Sequence, residues 1–187
     1  MCRWVLPASR PGRRSRIGLG SALLAFGLVL SACTTGGPQP VTPIRVDAGR
    51  AAQLISAYRA ENGLGPVGVD SRLMKAAADY ARVMGERDRI GHRIGASLPR
   101  RVAAVGYDWG FVAENLAAGY STVEDAMQGW KNSPGHRQNL LNPYAAEIGI
   151  AAVATPPGSD RRNYWALILA MQQPKRLVAR TVVGSIR

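Results

Sequence analysis

Residues Tyr164–Met171 read YWALILAM, an apolar run that contains no charged side chain. Successive side chains of a strand point to opposite faces of its sheet, so a strand that is apolar at every position is buried on both faces. We therefore expect a sheet that is covered by helices on both sides. Pro174 is expected to end this strand, because proline lacks the N–H that a sheet ladder needs.

Two further segments are predicted to be strands of the same sheet. Glu147–Val153 (EIGIAAV) precedes the first strand, and Thr155–Asp160 (TPPGSD) lies between the two. Proline and glycine in such a short connection predict a turn, so the pair forms an antiparallel hairpin. Upstream, Val112–Ala118 (VAENLAA) has the alternating pattern of a short strand.

The apolar residues of three other segments recur every three or four positions, which predicts helices, and Pro99 suits the first turn of a fourth, short helix. An Asp, Ser or Thr stands where each of three helices would begin, and it can cap the free N–H groups there. The helices are expected after Asp47, after Asp70–Ser71, over Leu98–Ala104 and after Thr122.

The N-terminal residues resemble the export signal of a bacterial lipoprotein. Five arginines and no acidic residue precede Ile17–Leu30, an apolar segment of 14 residues that is short for a membrane span. Leu30–Cys33 (LSAC) then resembles a lipobox. The resemblance implies that residues 1–32 are a signal peptide and that Cys33 carries a diacylglyceryl group that anchors the protein in a membrane. The alternatives are a plain signal peptide or an N-terminal anchor.

The same resemblance predicts where the protein is found. In Gram-negative lipoproteins an Asp after the lipidated Cys usually means retention in the inner membrane, and Thr34 stands there instead. We therefore expect an extracytoplasmic protein of the bacterial cell envelope, on the periplasmic face and at the outer membrane. Cys2 would leave with the signal, so the mature chain could form no disulfide.

Composition sets the remaining boundaries. Residues 33–46 are expected to form the lipidated end and a flexible tether, because Thr34–Pro43 holds three prolines and two glycines without an apolar period. Residues 47–173 form the predicted domain, and residues 174–187 form a basic tail. The chain carries a net charge of +12, which falls to +7 after the signal is removed.

Those basic residues are scattered along the chain, Arg59, Arg72 and Arg82 among them, without interleaved aromatic side chains. We therefore expect no nucleic-acid partner. Anionic headgroups or cell-wall polymers are the more natural partners of such a charge.

Three short motifs carry the residues best suited to chemistry. They are His92 in RIGH, Glu114 and Asn115 in AENL, and His136 in WKNSPGHRQNLL, which begins at Trp130. Imidazole binds transition metals and moves protons near neutral pH. Both histidines stand next to glycine, so both are expected in loop-like segments. The alternative is a pair of histidines that are only hydrogen bonded within the fold.

These three motifs and four further segments resemble the CAP superfamily (cysteine-rich secretory proteins, antigen 5 and pathogenesis-related 1 proteins) in its short bacterial form. The additional segments are Ala57–Leu64, Leu73, Glu147–Gly149 and Tyr164–Trp165. The match runs in order from residue 47 to residue 172. It implies an α+β fold, an α-β-α sandwich with a small antiparallel sheet between helical layers.

The resemblance also implies a central cleft with a tetrad of two histidines and two glutamates. His92, Glu114 and His136 match three of these residues, and Asn115 lies beside them in the cleft. The second glutamate of the family falls three residues after Trp130, where this chain has Ser133. The tetrad is therefore incomplete, and no spacing places Glu147 in the vacant position.

This residue set leaves several functions open. His92, Glu114 and His136 could hold a divalent cation such as zinc, or they could form a hydrogen-bonded cluster that orders the cleft. Glu114 and His136 are also the catalytic candidates for a metal-dependent hydrolase acting on peptide or cell-wall material. The resemblance favours binding over catalysis, because family members are described mostly as binders. The expected ligand is an envelope or secreted small molecule, lipid, glycan or peptide.

Overall fold

The computed structural model describes residues 37–159 and 161–174. Cys33, the signal segment, the first part of the tether, Asp160 and the tail from Lys175 onward lie outside the described residues. The predictions made for them stay predictions. No helix within the described ranges is long and apolar enough to cross a bilayer.

The described chain contains five helices and five strands. The helices are α1 (Ala48–Ala60), α2 (Ser71–Glu86), α3 (Leu98–Ala104), α4 (Val123–Asn132) and α5 (Pro134–Leu140). The strands are β1 (Thr42–Ile44), β2 (Gly68–Val69), β3 (Trp109–Ala118), β4 (Glu147–Ala154) and β5 (Asn163–Gln172). The sheet has the order β1-β4-β5-β3, and β2 pairs with one end of β4. The β4–β5 and β3–β5 pairs are antiparallel, whereas β2 runs parallel to β4.

Strand β5 separates two apolar cores, as its unbroken apolar sequence predicted. Trp165 and Leu167 lie in the core that contains residues of α1, α4 and α5. Tyr164, Ala166 and Ile168 lie in the core that contains residues of α2 and α3. The side chains thus alternate between two helical layers, which confirms the α-β-α sandwich.

The predicted caps are present at three helix starts. Asp47 accepts a hydrogen bond from the backbone N–H of Arg50 at 2.9 Å, and Asp70 accepts from that of Arg72 at 2.8 Å. Thr122 accepts from the N–H of Asp125 at 3.1 Å. Each bond satisfies a donor that has no partner in the first turn of a helix, so these helices begin where the sequence indicated.

The sheet is larger than expected at its outer edge. The sequence placed residues 42–44 in the tether, but they form β1 and pair with β4, with Pro43 opposite Val153. Proline is tolerated there because β1 is an edge strand with one unpaired side. Upstream, the side-chain amide of Gln39 donates to the carbonyl of Gly85 at 2.8 Å. The chain is therefore held against α2 from Gln39 onward.

Helix α2 lies in direct contact with β4 at Gly149. A Cβ atom built on this glycine would stand 2.0 Å from the carbonyl carbon of Leu73, far inside any normal contact. The backbone of α2 can approach the sheet so closely only because residue 149 has no side chain. This contact fixes the start of the helix that carries Tyr80.

Arg59 is buried, although the sequence grouped it with the scattered basic residues. Only 1% of it is exposed, and its guanidinium donates to four backbone carbonyls. The acceptors are Gly65 (2.7 Å), Leu140 (2.9 Å), Asn142 (2.8 Å) and Ala145 (2.9 Å). Burial lowers the pKa of Arg59. The side chain joins the end of α1 to the end of α5, and so it positions the helix that carries His136.

Candidate functional site

The predicted site residues lie on or beside β3, at the free edge of the sheet. Glu114 and Asn115 are neighbours on β3, which is the last strand of the sheet, so their side chains point to opposite faces. Glu114 reaches α3 and the loop of His92, whereas Asn115 reaches α5. Both helical layers therefore contribute to the same edge.

Glu114 is the centre of a hydrogen-bonded cluster. Its side chain is only 4% exposed. The Oε1 atom lies 2.9 Å from Nδ1 of His92, and Oε2 lies 2.6 Å from Nη2 of Arg101. Two of the predicted residues, His92 and Glu114, are thus brought into direct contact, and both carboxylate oxygens have a partner.

Arg101 is a site residue that the sequence analysis did not identify. Its guanidinium carbon lies 3.4 Å from the centre of the Tyr80 ring, and its Nε donates to the carbonyl of Ala96 at 3.2 Å. The Tyr80 hydroxyl donates to the carbonyl of Gly91 and accepts from the N–H of Ile94. The Tyr80 hydroxyl thus holds the loop that bears His92 on both sides of that residue.

A signal for Arg101 does exist in the sequence. Leu98, Arg101 and Val102 stand at positions i, i+3 and i+4 of α3 and share one face of that helix. The neighbouring Arg100 is exposed, and the two arginines look alike in composition. Only helical spacing from Leu98 distinguishes the inward arginine from the outward one.

Asn115 was expected to line the cleft, but it is completely buried. Its Nδ2 donates to the backbone carbonyl of His136 at 3.0 Å, and its Oδ1 accepts from Nδ2 of Asn139 at 2.9 Å. Because no part of the side chain is accessible, Asn115 acts by holding α5 against β3. It positions His136 and does not itself face the cleft.

His136 lies in the first turns of α5 rather than in a loop. Its imidazole lines a cavity of about 330 Å³, together with Ser133, Tyr120 and Leu116. Burial lowers the pKa of His136 below the ordinary value of 6.5, and the nearby charge of His92 lowers it further. Within the described part of the chain, its ring nitrogens have no hydrogen-bond partner.

A second cavity, of about 390 Å³, lies between β1 and α2. It is larger than the cavity beside His136, and its wall is mostly apolar. None of the predicted site residues lines it. We therefore place the candidate site at the β3 edge, where the two motif histidines and Glu114 lie, rather than in the larger cavity.

Neither Ser133 nor Glu147 replaces the missing glutamate of the tetrad. Ser133 is the residue before α5, and its hydroxyl makes no capping bond. Glu147 accepts hydrogen bonds from the hydroxyl of Tyr107 and from Gln172, and those contacts lie away from the His92–Glu114 pair. The cleft of this chain thus contains a single carboxylate from the motif residues.

The cleft residues fit a divalent ion poorly in this arrangement. Among the residues described, no three His, Cys, Asp or Glu side chains are grouped as metal donors. His92 and Glu114 are paired, but a guanidinium already neutralises the carboxylate at 2.6 Å. A cation so close to Glu114 opposes the entry of a second one. Zinc binding through His92, Glu114 and His136 stays a prediction.

Comparison with known proteins finds relatives of this chain among bacterial proteins. A family model described as "CAP: Cysteine-rich secretory protein family" matches residues 52–169. The Bacillus subtilis protein YkwD is 30% identical over 123 residues, which are 64% of this chain and 46% of YkwD. The chain thus spans less than half the length of that relative.

Two solved structures share the fold. An outer surface protein from Borrelia burgdorferi has a TM-score of 0.62 at 23% identity, over 72% of this chain and 100% of that one. An extracellular protein with an SCP domain from Bacillus anthracis has a TM-score of 0.58 at 23% identity. The second match covers 66% of this chain and 40% of the other.

Proposed function

Because this chain belongs to the cysteine-rich secretory protein (CAP) family, we propose that it binds an envelope or secreted ligand in the cleft at the β3 edge. The observation that carries this proposal is the cavity beside His136. Its imidazole is partly buried and has no hydrogen-bond partner among the described residues, whereas Asn115 and Asn139, which hold α5 against β3, are hydrogen bonded to each other. An orphan imidazole in a cavity is suited to contact a ligand.

Binding accounts for this geometry better than hydrolysis does. The hydrolase alternative uses Glu114 as a general base, but both of its oxygens are engaged by His92 and Arg101. Ser133 and His136 share the cavity wall without a hydrogen bond between them, so the structure supports no activated serine. The described residues therefore offer recognition groups rather than a nucleophile with its base.

The proposed location is extracytoplasmic, with Cys33 as the lipidated residue. Support comes from the lipobox-like LSAC segment and from the Borrelia burgdorferi relative, which is described as an outer surface protein. An envelope protein would meet cell-wall glycans and lipid headgroups at short range. These are the ligand classes that we select for the test.

The experiment uses the full chain in detergent and two probes. Purified peptidoglycan sacculi report glycan binding by co-sedimentation, and glycerophosphoglycerol reports headgroup binding by NMR shifts. Ser133→Trp fills the cavity, and Asn132→Trp places the same ring one residue away on an exposed position. We expect one probe to bind, with at least tenfold weaker binding for Ser133→Trp and no change for Asn132→Trp. If neither probe binds, or if both variants bind like the wild type, the proposal is wrong.

A further inference from the structure

We propose that the guanidinium of Arg101 occupies the place beside Glu114 that a divalent ion would take. The Arg101–Glu114 pair also fixes the proton of His92 on Nδ1. These contacts exist within the protein and do not depend on any ligand. One part does rest on the proposed function, namely that Nε2 of His92 contacts a ligand.

The first step is the charge of Glu114. The carboxylate is almost completely buried, and a buried charge needs a partner of opposite sign. Arg101 supplies it at 2.6 Å, in a short charge-assisted hydrogen bond. The carboxylate is thus already neutralised by the protein, which removes the main reason for a cation to bind there.

The second step is that Arg101 cannot easily move aside. Its guanidinium lies against the Tyr80 ring at 3.4 Å, and its side chain is only 10% exposed. The Nη1 atom has no hydrogen-bond partner among the described residues, and stacking on the aromatic face is its remaining stabilising contact. An incoming metal ion would have to displace a guanidinium that is held by a carboxylate, a carbonyl and a ring.

The third step assigns the proton on His92. A carboxylate paired with arginine is ionised and can only accept hydrogen bonds. Nδ1 of His92, at 2.9 Å from Oε1, must therefore donate. In the neutral ring this leaves Nε2 with a lone pair, and the side chain of His92 is 58% exposed. Nε2 is thereby oriented outward as an acceptor for a hydroxyl or amide N–H of a ligand.

Ser133 lines the cavity beside His136 and brings no charge to it. The CAP resemblance calls for a second glutamate at this position, and a hydroxyl cannot supply its charge. With one carboxylate absent and the other bound to Arg101, the cleft has no free anionic oxygen among its motif residues. Its recognition groups are the imidazoles of His92 and His136.

The test measures zinc affinity of the full chain by calorimetry. If Arg101 closes the site, Glu114→Gln leaves the zinc affinity of the wild type unchanged, because Glu114 is not a ligand. Arg101→Gln frees the carboxylate and is expected to tighten zinc binding at least tenfold. Adding His92→Ala to Arg101→Gln should abolish that gain. Arg100→Gln, an exposed neighbour on the same helix, serves as the control and should change nothing.

The opposite results overturn the proposal. They are a tenfold loss of zinc affinity in Glu114→Gln, or a folded Arg101→Gln variant without any gain. If Arg101→Gln does not fold, ¹⁵N NMR of the wild-type histidines decides, since a proton on Nε2 of neutral His92 contradicts the assignment and a proton on Nδ1 supports it. Failure of the sacculus and headgroup probes would leave these results untouched, so the two proposals fail separately.

Discussion

Among the described residues, Arg59 and Arg101 both point inward, and their guanidinium groups have different kinds of partner. Arg101 uses a carboxylate and an aromatic ring, whereas Arg59 uses only backbone carbonyl oxygens. A guanidinium offers five donors in a fixed plane, so one side chain can satisfy carbonyls from three separate segments. Arg59 is therefore a structural cross-link between α1, α5 and the loop that follows α5.

We expect Arg59→Met to destabilise the protein strongly. It removes four hydrogen bonds and leaves buried carbonyls without donors, for a loss of about 3–5 kcal/mol in the free energy of unfolding. Urea denaturation followed by circular dichroism measures this loss. Arg50→Met, on the exposed face of the same helix, should cost less than about 1 kcal/mol. Equal losses in the two variants would contradict the cross-link.

His136 should make the stability of the fold depend on pH. Burial lowers its pKa in the folded state below 6.5, so the unfolded chain takes up this proton at a higher pH. The contribution of His136 to the free energy of unfolding is complete above pH 6.5. It is lost as the pH falls through the pKa that His136 has in the folded state. NMR titration in EDTA should show His136 titrating below 6.5. Denaturation at pH 7.5 and pH 5 should show a smaller difference for His136→Gln than for the wild type, and an equal difference would refute this assignment.

Among single residues, the sequence identified the motif histidines and Glu114 but not how they are paired. His92 and Glu114 are 22 positions apart, and their contact depends on how α3 and the preceding loop pack on β3. Arg101 and Arg59 were missed because arginine is usually exposed, and burial of either depends on acceptors far away in the chain. Asn115 was taken for a cleft residue because its motif does not show which face it occupies.

The close approach of α2 to β4 determines how the helical layer sits on the sheet. Gly149 has no room for a side chain, since Leu73 and Met74 backbone atoms would stand within about 2.3 Å of a Cβ atom. These are backbone atoms of α2, which cannot move unless the whole helix moves, so a side chain at residue 149 would destabilise the fold. The layer that carries Tyr80 is therefore very sensitive to this one position.

Gly149→Ala should lower the free energy of unfolding by about 3 kcal/mol or more, because the new methyl group forces α2 away from the sheet. Thermal and urea denaturation measure the effect. Gly135→Ala is the matched control. It lies in α5 with no atom within 4 Å of its added Cβ, so it should be neutral or stabilise by about 0.5–1 kcal/mol. A mild effect at Gly149 would show that the layer spacing is adjustable.

Some elements were predictable from the sequence and others were not. Strand β5 and helix α3 were found from apolar pattern and proline placement, and α3 has the predicted bounds Leu98–Ala104. The two-residue β2 carries too little pattern to detect, and α5, although as long as α3, was taken for a loop because Gly135 stands next to His136. Strand β1 contains a proline, and it forms only because β4 offers an open edge. Pairing with β4, rather than local preference, creates the two short strands β1 and β2.

For the whole protein, the net charge of +7 expected after processing and the lipobox-like segment favour a location at an anionic surface. Cys33→Ser should release the protein from the membrane fraction, because the acyl anchor needs the thiol. Cys2→Ser is the matched control and should stay membrane-bound, since Cys2 belongs to the predicted signal peptide. Immunoblots of fractionated cells measure the distribution. Unchanged membrane association of Cys33→Ser would refute lipidation.

The anchoring of Gln39 to Gly85 limits how far the domain could travel from a lipidated Cys33. Only six peptide steps separate the two residues, and a fully extended chain covers roughly 3.3–3.6 Å per step, or about 20 Å. Such a short connection would keep Gln39, and with it the domain, close to the lipidated residue. A molecule sampled by this protein would then have to come to the bilayer, because the domain could not reach out across the periplasm to meet it.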